Sequence, residues 1–264
     1  MYKKNLIQQE QERVEYYKSL LIPDKKDGLV CLTLDNAAKI KAWIRLNPRY
    51  SKTVDDSNEK STKFLIKQLK EGSLLYNRET IEAIIKRINS ENSTRMSNPE
   101  MEKIAERIVD HASTKDILMN MLKGKKYSLI DIIAETINTT TNGNKKERNR
   151  SNFSFATKFC HYMCFYLFEG EDWQDNYSIY DNIVIKVLPD YAKSFGTEYD
   201  LKPFNKSKKN PIEYYEEYQK CIDNILKESG NKISRNAFDH IMWYYTKTRK
   251  NVESTKSNNN QEDE

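Results

Sequence analysis

The sequence predicts an all-α protein. Only 7 Gly and 6 Pro occur in 264 residues, too few turn-formers for a sandwich or a barrel. Apolar residues recur at three- and four-residue spacing in one stretch after another, as helices with an inward face require. No alternating pair of stretches marks two partnered strands, and no internal repeat is present. With 38% hydrophobic and 31% charged residues, the chain is long enough for one large or two small domains with a proper core.

Taken in order, residues 1–22 read as an amphipathic helix rich in Gln, Glu and Lys, closed by the turn Pro23–Gly28. Thr33 or Asp35 is placed to cap a helix running to about Leu46, which Asn47-Pro48 ends. Tyr50–Asn58 is polar and loop-like. Helices follow near Glu59–Lys70 and Arg78–Asn89, the second with Ile81, Ile84, Ile85 and Ile88 on its inward stripe. Ser97-Asn-Pro-Glu100 is a strong helix start, with proline in the first turn and an acid after it. Ser113 or Thr114 caps the next segment, Gly124 ends it near Leu122, and Ser128–Ile137 forms one more short helix.

Beyond the central stretch, Pro211 opens a helix carrying Tyr214, Tyr215, Tyr218, Ile222 and Ile225 inward, closed by Gly230. Ser234 caps a last helix through Phe238, Ile241, Met242 and Tyr245, and the Asn-, Ser- and Glu-rich tail from Lys250 has the composition of a disordered segment. The expected organisation is a helical subdomain over residues 1–138, onto which the C-terminal helices can pack, a second helical region over 139–249, and a tail over 250–264.

A net charge of +5 is too small to name a nucleic-acid partner by itself, so its distribution matters more. Lys145, Lys146, Arg148 and Arg150 stand against one acid, Glu147, and Lys202, Lys206, Lys208 and Lys209 lie in a stretch with none. Such runs are usually solvated loops; beside a phosphate site they would track DNA. No leader-like segment opens the chain and no apolar run reaches membrane length, so a reduced, cytoplasmic setting is expected for the four cysteines. Cys160-His161 with Cys164 resembles a metal fragment but lacks a fourth ligand nearby; core cysteines are the better reading, and no metal or cofactor is expected.

The chain is organised around Ser151–Phe195. Phe155, Phe159, Tyr162, Met163 and Tyr166 share one helical face, while Cys160, Cys164 and Phe165 add apolar cover elsewhere, which describes a central helix buried nearly all round. Lys158 sits in its first turn at the edge of that stripe. A lysine there is costly unless it snorkels or works. Asp181 stands 23 positions later, at the head of a second apolar stretch, so one helix and one loop can return it to the amine. Read alone, Lys158 is a snorkelling lysine and Asp181 an ordinary helix cap.

Together, Phe153-Ser-Phe-Ala-Thr-Lys158, an apolar helix, Ile179-Tyr-Asp181 and a further apolar helix resemble the helix-hairpin-helix DNA glycosylases, in particular their 8-oxoguanine branch. There a Gly-Val-Gly-Thr-Lys hairpin carries the nucleophile and a Pro-Val-Asp follows. Thr157 and Lys158 match the hairpin's Thr-Lys, and Asp181 matches the catalytic aspartate; Ser154 and Ala156 stand where the family has glycine, and Tyr180 precedes the acid. The match spans about 45 residues.

The resemblance implies a glycosylase that flips a damaged or modified base out of duplex DNA, an oxidised purine or a modified phage base, in repair or antiviral defence, with a β-lyase step through a lysine Schiff base. It implies Lys158 as nucleophile, Asp181 as the carboxylate facing the developing positive charge, phosphate contacts at Asn152, Ser154 and Thr157 supported by Lys145–Arg150, and a base pocket lined by Tyr162 with Phe238 or Trp243. It also implies two helical subdomains flanking a cleft, with 139–249 as the hairpin and catalytic region; no strand signal appears, so the β-rich N-terminal module of the animal enzymes is expected to be missing here. Aromatics on apolar stripes are more often core, and His111, His161 and His240 have no sequence partners that suggest a triad. The alternative is a non-catalytic helical module that binds nucleic acid or protein on the same scaffold.

Overall fold

A computed structural model describes residues 2–46, 61–92, 94–124, 127–136, 152–205, 207–230 and 232–259. Among these are eleven α-helices and one hairpin of two-residue strands, so the fold is all-α, with no β-rich module among the described residues. The chain divides into two compact units, neither of them continuous in sequence: residues 1–54, 183–199 and 224–264 form one, and residues 55–182 with 200–223 form the other. Late stretches of the chain thus share a unit with its first 54 residues.

In the first unit, α1 (Tyr2–Leu20) is followed by β1 (Lys25–Lys26) and β2 (Leu29–Val30), paired antiparallel with Lys25 opposite Val30. The expected turn at Pro23–Gly28 is thus the bend of a hairpin that the sequence did not announce. Asp27 (φ 53°) and Gly28 (φ 80°) both take the left-handed conformation that a tight two-residue hairpin needs. The fully buried Asn36 of α2 (Leu34–Leu46) clamps this bend, accepting from the Asp24 amide and donating to the Asp24 and Cys31 carbonyls. Thr33 caps α2 by accepting from the Asn36 amide at 3.2 Å.

The same unit holds α9 (Val184–Ser194) and α11 (Arg235–Asn259), with Tyr191, Leu188, Phe238, Ile241 and Met242 in its core. The Tyr191 hydroxyl donates to the Val30 carbonyl at 3.0 Å. Helix α11 continues to Asn259, through residues whose composition suggested a disordered tail; 260–264 lie outside the described residues.

The second unit contains α3 (Thr62–Glu71), α4 (Arg78–Asn92), α5 (Asn98–His111), α6 (Lys115–Lys123), α7 (Ser128–Ala134), α8 (Phe153–Leu167) and the start of α10 (Pro211–Glu228). Its caps follow the sequence. Ser97 and Glu100 form a capping box, Thr114 accepts from the Ile117 amide, and Asn210 accepts from the Ile212 and Glu213 amides. Helix α8 is buried along most of its length, including Phe153, Phe155, Ala156, Phe159, Met163 and Leu167, so it is the axis of this unit.

Candidate functional site

Between α8 and α10 runs an irregular segment, residues 176–181, nearly all of it buried. Backbone carbonyls inside a protein must find donors, and here side chains supply every one from 176 to 180. Gln219 donates to the Asn176 carbonyl at 2.8 Å, and His161 meets the Tyr177 carbonyl through Nδ1 at 2.7 Å. Tyr215 and Tyr218 donate to the Ser178 and Ile179 carbonyls at 2.8 and 2.7 Å. Because a carbonyl only accepts, Nδ1 of His161 carries the proton.

The last carbonyl, of Tyr180, is taken by the first turn of α8. Ser154 Oγ donates to it at 3.0 Å, and the Thr157 hydroxyl lies 3.4 Å away. Thr157 also accepts from the Tyr180 amide at 3.1 Å and donates to the Ser154 carbonyl at 3.0 Å. One turn of α8 therefore holds both backbone polar groups of Tyr180, the residue before Asp181. Lys158 follows Thr157 directly, and its Nζ lies 3.7 Å from Asp181 Oδ2. Lys158 is 8% exposed, whereas the Asp181 side chain keeps 21%. The structure thus brings together the amine and the acid that the sequence singled out.

The other expected site residues are placed differently. Asn152 is buried, and its amide donates inward to the Thr136 carbonyl, tying α8 to the end of α7 instead of facing a phosphate. Thr157 is fully buried and Ser154 half-buried, with both hydroxyls turned to Tyr180, so these side chains hold the segment that carries the acid. Lys145, Lys146, Arg148 and Arg150 lie outside the described residues.

Tyr162 is half-buried and donates to Asn92 Oδ1 at 3.0 Å, with its ring stacked on Tyr166. Phe238 belongs to the core of the first unit, 1% exposed and edge-on to Tyr191, so its ring faces protein and not a base. Trp243 is half-buried in the same unit, with Lys247 Nζ 5.7 Å from its ring centroid.

Cys160, His161 and Cys164 form no metal centre. Both cysteines are buried free thiols that burial pushes upward in pKa, and His161 is committed to a backbone carbonyl. Among the described residues there is no group of three or more His, Cys, Asp or Glu able to hold a metal ion, and no helix long and apolar enough to cross a membrane.

The residues that sequence reasoning missed are Tyr215, Tyr218, Gln219 and His161, which hold the acid-bearing segment. A signal was present: hydroxyls and an amide on the buried face of α10 need partners, and an irregular segment needs donors. Compared with family models, with curated proteins and with solved structures, the chain matches none. The functional reading therefore rests on the residues themselves.

Proposed function

We propose that the chain is a DNA glycosylase of the helix-hairpin-helix kind, with Lys158 and Asp181 as its catalytic pair and an oxidised purine or modified phage base as its substrate. The observation that carries this reading is the 3.7 Å approach of the two groups, with the acid following a stretch whose carbonyls are bonded from residue 176 to residue 180. A lysine on the inward face of an otherwise apolar helix costs stability that one pair at this distance offsets only in part. That expense is intelligible if the amine does chemistry.

A base leaves deoxyribose as the bond from the anomeric carbon breaks, its electron pair going to the base, which then takes up a proton. Positive charge grows on the sugar, and a fixed carboxylate beside it lowers the barrier. As the free amine, Lys158 Nζ can donate its lone pair to the anomeric carbon, losing a proton afterwards; ring opening then gives a Schiff base from which the strand is cleaved by β-elimination. In this reading Asp181, part of whose side chain is exposed, faces that sugar.

The same proximity favours one other reading, in which the pair merely completes the clasp that Ser154 and Thr157 make with Tyr180, on a scaffold that binds without reacting. Borohydride trapping on duplex DNA carrying an abasic site separates the two. The glycosylase reading with lyase activity predicts a covalent adduct mapping to Lys158 and abolished in Lys158→Ala. Base release that persists in Lys158→Ala and vanishes in Asp181→Asn would leave a glycosylase without the covalent step. Binding without any base release would support the scaffold.

A further inference from the structure

The segment Leu201–Asn210 contains four lysines and no acid, and its described part is neither loose nor remote from the acid. The Phe204 amide donates to the Tyr180 hydroxyl at 2.8 Å, and the Phe204 ring stacks on Phe153, the first residue of α8, at 4.2 Å and 24°. Tyr214 donates to the Lys202 carbonyl at 2.7 Å. Past Phe204, Asn205 builds a turn: its side chain accepts from the Ser207 amide and hydroxyl, and its carbonyl from the Lys208 and Lys209 amides. Lys202, Lys208 and Lys209 are exposed on this framework. The acids near it are Asp200, Glu213 and Glu217, of which Glu217 pairs with Lys209.

We infer that this loop is a nucleic-acid backbone contact whose mooring on Phe153 and Tyr180 fixes the register between bound phosphates and Asp181. The inference rests on the proposed glycosylase for its second half, and on charge and geometry for its first. Lysines on a turn whose backbone is already bonded lose little freedom on meeting phosphates, and each phosphate neutralised releases counterions from the duplex. The loop's aromatic ring faces inward onto Phe153, which leaves three exposed lysines and no exposed aromatic among the loop's described residues. That suits a phosphate backbone better than a membrane. Tyr180 links the two functions, since its hydroxyl holds the loop while its peptide group is held against α8, one residue before the acid.

The test compares the full chain with Lys202→Gln/Lys208→Gln/Lys209→Gln and with a charge-matched control, Lys86→Gln/Lys220→Gln/Lys227→Gln, all exposed positions. Affinity for an unmodified duplex oligonucleotide is measured across salt concentrations, and the slope of log affinity against log salt is read. At about 0.9 per phosphate contact, the loop variant should flatten that slope by roughly 2 to 3, and the control by less than one.

Equal slopes for loop variant and unsubstituted chain overturn the loop assignment, as does equal flattening by the control or binding to anionic phospholipid vesicles in place of the duplex. The double variant Phe204→Ala/Tyr180→Phe keeps the lysines and removes both moorings, the ring stacked on Phe153 and the hydroxyl that accepts from the Phe204 amide. It should leave the salt slope within one unit and lower base release at saturating substrate several-fold; unchanged turnover overturns the register claim. If the unsubstituted chain binds duplex but releases no base, the proposed function and the register claim fall, and the slopes alone decide the loop.

Discussion

Thr157 and Tyr180, 23 residues apart, share a two-sided contact: the threonine hydroxyl accepts from the Tyr180 amide at 3.1 Å and lies 3.4 Å from the Tyr180 carbonyl. Lys158 and Asp181 are the next residues on either side of that contact, so the clasp sets where the amine and the acid meet. Thr157→Val preserves shape and removes the oxygen. A buried amide then loses its acceptor, and about 1–3 kcal/mol of stability should go with it, read by denaturant unfolding. If the clasp positions Asp181, base release should fall in kcat with KM little changed, and Thr157→Ser should restore it.

Lys158→Arg separates charge from nucleophilicity. Arginine keeps a cation within reach of Asp181 but stays protonated and cannot form a Schiff base. The variant should remain folded and bind duplex DNA while losing all borohydride-trapped adduct. A trapped adduct that survives the substitution would show that another amine reacts.

The bonded carbonyls of the 176–181 segment make α10 a support for the site. Tyr215→Phe and Tyr218→Phe each delete one hydroxyl that serves a buried carbonyl. Each should cost about 1–2 kcal/mol, seen as a lowered denaturation midpoint. Their effects should not simply add, because the two acceptors are neighbours on one backbone.

Stability should fall at alkaline pH. Burial raises the Tyr76 hydroxyl from 10.0 to about 12 and the Cys221 thiol from 9.0 to about 11, and it raises Tyr177, Tyr191, Tyr215, Cys160 and Cys164 as well. Each group is neutral when protonated, and the fold holds its proton more tightly than the unfolded chain does. Between the unfolded and folded values the unfolded chain binds fewer protons, so stability is complete below about pH 9 and decreases as pH rises toward 12. Denaturation midpoints across pH 8–12 should show that decline, and Tyr76→Phe should make it shallower between 10 and 12.

Much of the helical framework was legible because its signals are local. The Ser97-Asn-Pro-Glu100 start, the Thr33 and Thr114 caps and the isoleucine stripe of α4 each depend on residues within one or two turns. Strands of two residues are too short to show alternation, which hid the Lys25–Val30 hairpin. The end of α11 is polar on all sides, so its helix left no periodic trace. Lys158 and Asp181 could be paired by pattern, but the role of Thr157 could not. Its hydroxyl meets the backbone of Tyr180, which chain folding returns to it, and the Asn152 amide group meets the Thr136 carbonyl in the same long-range way. The tyrosines of α10 read as core stripe, and they are core; their hydroxyl partners lie 37 and 39 residues upstream, beyond the reach of any local rule.

The most direct measurement is base release from duplex oligonucleotides carrying a series of oxidised purines and modified phage bases, by the unsubstituted chain and by Asp181→Asn. The account predicts release from at least one of these substrates and a loss of about 10²–10³-fold in the asparagine variant, which keeps the shape and removes the charge. Release that is indifferent to Asp181→Asn, or no release from any substrate by a chain that still binds the duplex, would contradict it.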